Sequence, residues 1–166
     1  MDMEIRLAPM TREYIHELFQ GFEYDPDLFL DLSLYEKAKA SGCDPQKGDA
    51  LFDRHSGEED RLSFAVLLGG AVIGQVDLKH IDQVTKTCEL SIHLKSDAVK
   101  NRGYGTRAER LAIAYAFETL GMEHILADSV EKNRRSQHVL EKLGFMLIGE
   151  ENGFRQYRLD RTERRL

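Results

Sequence analysis

Val99-Lys100-Asn101-Arg102-Gly103-Tyr104-Gly105-Thr106 is a glycine-bracketed turn that opens a helix. Glycines at 103 and 105 carry no Cβ, so the backbone N–H groups around them can close on an anion. The helix behind adds the positive end of its dipole, and the two features together make a seat for phosphate. Lys100, Arg102 and Arg107 add charge around it. Downstream, Asn133-Arg134-Arg135-Ser136 opens a second helix with Asn133 as its cap, and Lys142-Leu143-Gly144-Phe145 closes it. Two such helix starts in one short chain imply a large phosphate-bearing cofactor.

The pattern on either side of the turn extends the reading. Cys88–Leu94 alternates as a strand, with Leu90, Ile92 and Leu94 on one face and Glu89, Ser91 and His93 on the other. Gly103–Leu120 has helical spacing, with Leu111, Ala112, Tyr115 and Ala116 inward, and Gly121 ends it. His124–Val130 reads as a strand and Asn133–Leu143 as a helix. Phe145–Glu150 and Phe154–Leu159 read as a hairpin around Glu151-Asn152-Gly153. Upstream, Leu62–Leu68 and Ala71–Leu78 flank Gly69-Gly70, which supplies the positive φ angles of a tight hairpin. Glu4–Leu7 is a first strand closed by Pro9, and Thr11 caps a helix running to Gln20. Residues 25–40 read as a second helix, and residues 41–60 as a long connection or a weak helix. The order predicts one α/β domain over residues 1–166, a mixed, mostly antiparallel sheet with helices on both faces.

Bulk properties exclude several function classes. No apolar stretch approaches the roughly 20 residues that cross a membrane. Met1 to Leu7 lacks a basic region followed by an apolar run, so no signal peptide is expected. Cys43 and Cys88 have no metal-type spacing, and the six histidines form no HExxH pattern. These readings favour a cytoplasmic, metal-free protein, monomeric or a homodimer, with no membrane partner. The net charge of −6 is unevenly spread: residues 95–142 hold nine Lys/Arg against seven Asp/Glu, and residues 21–60 hold four against eleven. Without a dominant basic face, nucleic-acid binding is disfavoured. The acidic segment suits a cationic amine, or is simply a solvated surface.

Gly103 to Ala108 also matches the dinucleotide fingerprint G-x-G-x-x-A. A fingerprint turn follows its strand at once and opens the domain. Here eight residues separate Leu94 from Gly103, three antiparallel strands come first, and Asp128 only partly suits a ribose contact.

Lys100-Asn101-Arg102-Gly103-Tyr104-Gly105 resembles the Gln/Arg-x-x-Gly-x-Gly/Ala signature of the GNAT acetyltransferase superfamily. Asn133-x-x-Ser136 followed by Lys142-x-Gly144-Phe145 resembles its second motif, and the similarity covers essentially the whole chain. The Ser-containing motif is most similar to the branch that acetylates ribosomal-protein N-termini and to its small-molecule relatives. The resemblance implies a seven-stranded GNAT-like sheet and acetyl-CoA as co-substrate, with no metal. It implies transfer of the acetyl group to a primary amine, on a small molecule or a protein N-terminus, by direct attack in a ternary complex. The pyrophosphate would lie on the amides of residues 102 to 106. His93, Leu94, Lys100, Asn101, Arg102, Gly103, Tyr104, Gly105, Thr106, Asn133, Arg135 and Ser136 would contact the cofactor. The chain departs from the pattern twice. Lys100 replaces Gln or Arg, and still offers phosphate a point charge. Leu140 stands where many members carry the Tyr that protonates the departing thiolate, which leaves Ser136, as a hydrogen-bond donor, or solvent to assist.

An acceptor ammonium must lose a proton before it attacks. Glu89 is the first candidate base, by its similarity to a glutamate in histone-acetylating relatives, and His93 the second. The alternative is that Glu89, Ser91 and His93 are merely the polar face of a half-exposed strand. Acetyl-CoA would bind first, in a V-shaped gap between the strand ending at Leu94 and the strand ending at Val130, where a backbone N–H near Leu94 would polarise the thioester carbonyl. Tyr157 either approaches from the far side or belongs to a plain surface strand. Nothing near Cys88 in sequence would lower its pKa, which argues against a nucleophile. The acceptor site would be built from residues 21–60 and the closing hairpin. Two other classes stay open: a non-catalytic acyl-CoA-binding module and, on the fingerprint alone, a dinucleotide-binding domain.

Overall fold

Seven strands make one sheet: β1 (Ile5–Pro9), β2 (Leu62–Leu68), β3 (Ala71–Asp82), β4 (Thr87–Leu94), β5 (His124–Val130), β6 (Met146–Glu151) and β7 (Phe154–Asp160). The computed structural model describes residues 4–163, so Met1–Met3, part of the stretch read for a leader, lie outside the described residues. The strand order is β1-β2-β3-β4-β5-β7-β6. Every pairing is antiparallel except β4 with β5. A doubly wound dinucleotide domain needs a mostly parallel sheet, so this topology removes the fingerprint reading of Gly103–Ala108.

Among the described residues five α-helices cover the sheet: α1 (Arg12–Phe19), α2 (Leu32–Ser41), α3 (Pro45–Ser56), α4 (Tyr104–Ala114) and α5 (Arg134–Lys142). Residues 65–68 of β2 are buried on both faces, which explains their unbroken apolar run. Ala65 and Leu67 pack with Leu18 of α1, whereas Val66 and Leu68 join Ala108, Ala112 and Phe117 in the larger core on the α4 side.

Three expectations are corrected or decided. The helix expected over residues 25–40 is broken: Pro26–Leu28 is a single 3-10 turn, and α2 begins only at Leu32. Asp25 and Asp31 each turn a carboxylate onto a later backbone N–H, at Asp27 and Leu34, and so start two separate elements where apolar spacing ran continuously. Of the two readings of residues 41–60, a long connection or a weak helix, the helix holds, as the twelve-residue α3. Its start carries two helix signals, Asp44 as cap and Pro45 in the first turn. Gly48 weakens local propensity but lets α3 close on α1, since a Cβ there would lie 3.3 Å from Ile15. The third change concerns the helix expected over Gly103–Leu120. After Ala114 it widens into a π turn, where the Leu120 N–H donates to the Tyr115 carbonyl at 3.0 Å. Leu111, expected inside, is exposed, and the buried stripe is Ala108, Glu109, Ala112 and Ile113.

Gly74 on β3 marks the tightest approach in the sheet. A Cβ there would stand 2.6 Å from the His93 carbonyl oxygen and 3.0 Å from Leu94. Gly74→Ala must displace the end of β4, and overpacking of this kind costs about 1–3 kcal/mol. Thermal unfolding should show a Tm lower by roughly 2–12 °C. An unchanged Tm would mean that the end of β4 is free to shift.

Candidate functional site

β4 and β5 pair only at Thr87–His124, Cys88–Ile125 and Glu89–Leu126, and beyond that point they part. Each stays tied to its other neighbour. β4 remains paired with β3 up to Leu94 opposite Gly74, and β5 with β7 up to Val130 opposite Phe154. The result is a V-shaped gap, as the sequence led us to expect. The Lys95 N–H turns toward β3 and donates to the Ile73 carbonyl at 2.7 Å. Strand alternation therefore aims the N–H groups of Leu94 and Ile92 at the opposite edge, into the gap.

The glycine turn stands at the open end. Asn101 and Gly103 adopt positive φ (59° and 81°), and α4 starts at Tyr104 with no side-chain cap. The first amides of α4 are thus left for an external acceptor. A Cβ on Gly105 would reach to 3.5 Å from Leu94, at the gap's rim. Across the gap, the Ser136 N–H donates to Asn133 Oδ1 at 3.1 Å, the cap that the sequence predicts. Gln137, 4% exposed, donates through Nε2 to the carbonyls of Val130 (3.1 Å) and Glu131 (2.7 Å). It locks the start of α5 to the end of β5 and so fixes Asn133 and Ser136 in place.

Two concavities occupy the gap, of about 110 Å³ near the turn and about 260 Å³ toward its closed end. They share Leu28, Ile92, His93, Glu109, Asn133 and Ser136. Glu89 and Asp128 line the deeper one, and Lys100, Gly105, Leu94 and Arg135 the shallower. Asn101, Arg102, Gly103, Tyr104 and Thr106 line neither and form the turn at its edge. His93 is solvent-accessible because the gap is open, yet the protein crowded around it disfavours the imidazolium and lowers its pKa. Glu89 has Lys79 Nζ and His80 Nε2 each at 3.6 Å. Burial and the neighbouring Glu89 raise the pKa of Asp128. Cys88 is buried, its thiol pushed up to about 12 by desolvation, in keeping with its exclusion as a nucleophile. Tyr157 belongs to the core opposite Ala127 and does not border the gap, so neither alternative, an approach from the far side or a plain surface strand, is realised.

Lys100 is engaged by protein. Its side chain is only 9% exposed and lies 3.1 Å from Asp25 and 3.5 Å from Asp97. Burial acts to raise the Asp25 carboxyl, but the Asp27 N–H and Lys100 outweigh it and hold the pKa below the usual range. The acidic segment is thereby fastened to the glycine turn, and Leu28 and Leu30 reach over toward the closing hairpin, Leu30 crowding Gly153. A separate concavity of about 150 Å³ lies between α3 and the sheet. Arg61 beside it is closed by Glu58 (2.6 Å) and Asp77 (2.8 Å), leaving a satisfied ion network.

Residues 4–146 match the family model described as the acetyltransferase (GNAT) domain. The chain belongs to the GNAT acetyltransferase family. It is an acetyl-CoA-dependent N-acetyltransferase that acts on an amine, as its two motifs imply. Spermidine N(1)-acetyltransferase of Escherichia coli (strain K12) is 28% identical over 156 residues, covering 88% of this chain and 75% of that protein. The Bacillus subtilis (strain 168) protein named "Putative ribosomal N-acetyltransferase YdaF" is 28% identical over 88 residues, 53% of this chain and 48% of its own. Among solved structures, spermidine N-acetyltransferase from Vibrio cholerae in complex with CoA and spermine superposes with a TM-score of 0.77 at 16% identity. That match covers 96% of each chain and speaks to the fold.

One residue of this GNAT domain's gap went unread in the sequence. Glu109 is buried on α4 and faces both concavities. Its spacing with Ala112, Ile113, Ala116 and Phe117 is that of an inward stripe, and a carboxylate in such a stripe was the available signal.

Two substitutions separate the roles around the turn. Gly105→Val should weaken acetyl-CoA binding by at least about tenfold, roughly 1.4 kcal/mol, by filling the rim beside Leu94. Calorimetric titration measures it, and retained affinity would misplace the pyrophosphate. Lys100→Ala leaves the Asp25 carboxylate unpaired, at a cost of about 1–3 kcal/mol. It should speed amide exchange over residues 23–30 in particular. Since the folded Asp25 pKa is depressed, its contribution is complete above about pH 4 and is lost as pH falls through the folded value. Lys100→Ala should therefore destabilise the protein at pH 7 more than at pH 3.

Proposed function

We propose that the chain, one domain over residues 1–166 in the cytoplasm, acetylates a primary amine of a small cationic acceptor by direct attack on acetyl-CoA. The observation that carries this reading is the gap where β4 and β5 part. It joins free N–H groups at Ile92 and Leu94, a glycine turn at the open end and a carboxylate, Glu89, at the closed end. Acetyl-CoA supplies an acyl group on a thiol leaving group, and its diphosphate suits the uncapped first turn of α4. The Leu94 N–H would hold the thioester oxygen, a contact of a type worth about 10²–10³ in rate. Glu89 would take the acceptor's proton directly or through water. His93 is neutral at pH 7 and four residues away on the same strand face, roughly 13 Å from Glu89, so the two would serve different positions. Ser136 would donate a hydrogen bond to the thiolate.

A polyamine such as spermidine is the first acceptor to test. Supporting it are the name of the Escherichia coli relative and the surplus of acids in residues 21–60. With spermidine as acceptor, Glu89→Gln should cut coenzyme A release by about 10²-fold or more while changing acetyl-CoA affinity little. Unchanged turnover in the variant would take Glu89 out of the mechanism. Tight acetyl-CoA binding by the wild type, with no release for any amine, would instead favour a non-catalytic acyl-CoA module.

A further inference from the structure

Glu109 is 5% exposed, and among the described residues its carboxyl has no hydrogen bond or ion pair. Its carboxyl oxygens are not among the fully enclosed unpartnered atoms, so they open onto the gap, where a bound group can meet them. It borders both concavities of the gap, with Ser136 and Asn133 on α5 and Ile92 and His93 on β4. This is the stretch between the N–H groups that would hold the thioester and the helix start that would hold the diphosphate.

A thiolate leaving an acyl group needs a proton, and few groups along the gap have one to give. Leu140 carries none, a serine hydroxyl such as Ser136 is too weak an acid, and the lowered pKa of His93 leaves it unprotonated at neutral pH. We propose that Glu109 is the general acid that protonates the departing coenzyme A thiolate, a role that rests on the acetyl-transfer reading above. The acceptor nitrogen forms the C–N bond as the C–S bond breaks. The C–S electron pair goes to sulfur, and sulfur takes the carboxyl proton of Glu109. The ammonium gives its first proton through Glu89 to solvent before attack. The proton shed as the amide forms goes to the freed Glu89 carboxylate and on to solvent, and the Glu109 carboxylate regains a proton from solvent as coenzyme A leaves.

Burial alone pushes the Glu109 carboxyl up to about 8, so it carries its proton at pH 7. Charged groups face the gap from every side: Lys79, Glu89 and His93 from β3 and β4, Asp128 from β5, Arg135 from α5, and Lys100 and Asp25 at the rim. None of them is among the causes of the Glu109 shift. His93 titrates below neutral pH and so affects the acid side of a pH profile, whereas loss of the Glu109 proton removes activity on the alkaline side.

The test is Glu109→Gln, which keeps the shape and the buried position. Acetyl transfer to spermidine should fall by about 10²-fold or more with coenzyme A affinity within about twofold, and the alkaline limb of kcat near pH 8 should vanish. Infrared difference spectra of the wild type give a readout independent of turnover. At pH 7 a protonated carboxyl band, absent from Glu109→Gln, should shift when coenzyme A binds. Equal turnover in the variant, a rate loss explained by lost coenzyme A affinity, or a band indifferent to coenzyme A would each overturn the role of Glu109 alone. A wild type that binds no coenzyme A would overturn the transfer reading as well.

Discussion

Three residue pairs of parallel ladder, Thr87–Glu89 against His124–Leu126, join the two halves of the sheet, and the site depends on their being so few. Beyond them the facing edges of β4 and β5 present N–H and C=O groups with no partner on the other strand. Such edges are expensive to bury dry and tend to recruit a further strand or its equivalent. A donor whose linker carries amides, as that of acetyl-CoA does, can occupy this opening in the manner of an added strand. What keeps the gap open is outside it. β3 holds β4 through the close Gly74–His93 approach, and β7 holds β5 as far as Val130.

Charge organises the same place. The segment over residues 21–60 is acidic, but much of that charge is committed: Asp49 and Asp53 pair with Arg12, Asp31 and Asp44 cap helices, and Asp25 pairs with Lys100. The Lys100–Asp25 contact fastens the acidic segment to the glycine turn, so the lysine read as a phosphate contact also ties down the loop that walls the gap. Arg102 stays exposed at the turn.

The strands and the two motif helices were legible because their signals are local. Gly69-Gly70 demands a hairpin, Asn133 caps α5, and alternation in Cys88–Leu94 assigns its faces. α3 was obscured because the glycine that lowers its propensity is the one that allows its packing on α1, an advantage that no local window contains. The break before α2 was hidden by Leu28 and Leu32, which keep helical spacing across two separately capped elements. At the site, the gap and the cap were readable. The Lys100–Asp25 pairing spans 75 positions and was not. Glu109 stands in plain view within an apolar stripe, but helical spacing through Leu111 places that stripe off its true line.

If the gap between β4 and β5 holds acetyl-CoA, thermal unfolding with acetyl-CoA, coenzyme A, NAD or no ligand shows it. At about 100 times its dissociation constant, a ligand of the folded state stabilises by about 2.7 kcal/mol, which for this size raises Tm by roughly 5–10 °C. Tm should rise by that amount with acetyl-CoA and with coenzyme A, and not with NAD. No shift with either coenzyme A species would contradict it, and the roles assigned to Glu89, Ser136 and Glu109 would fall with it.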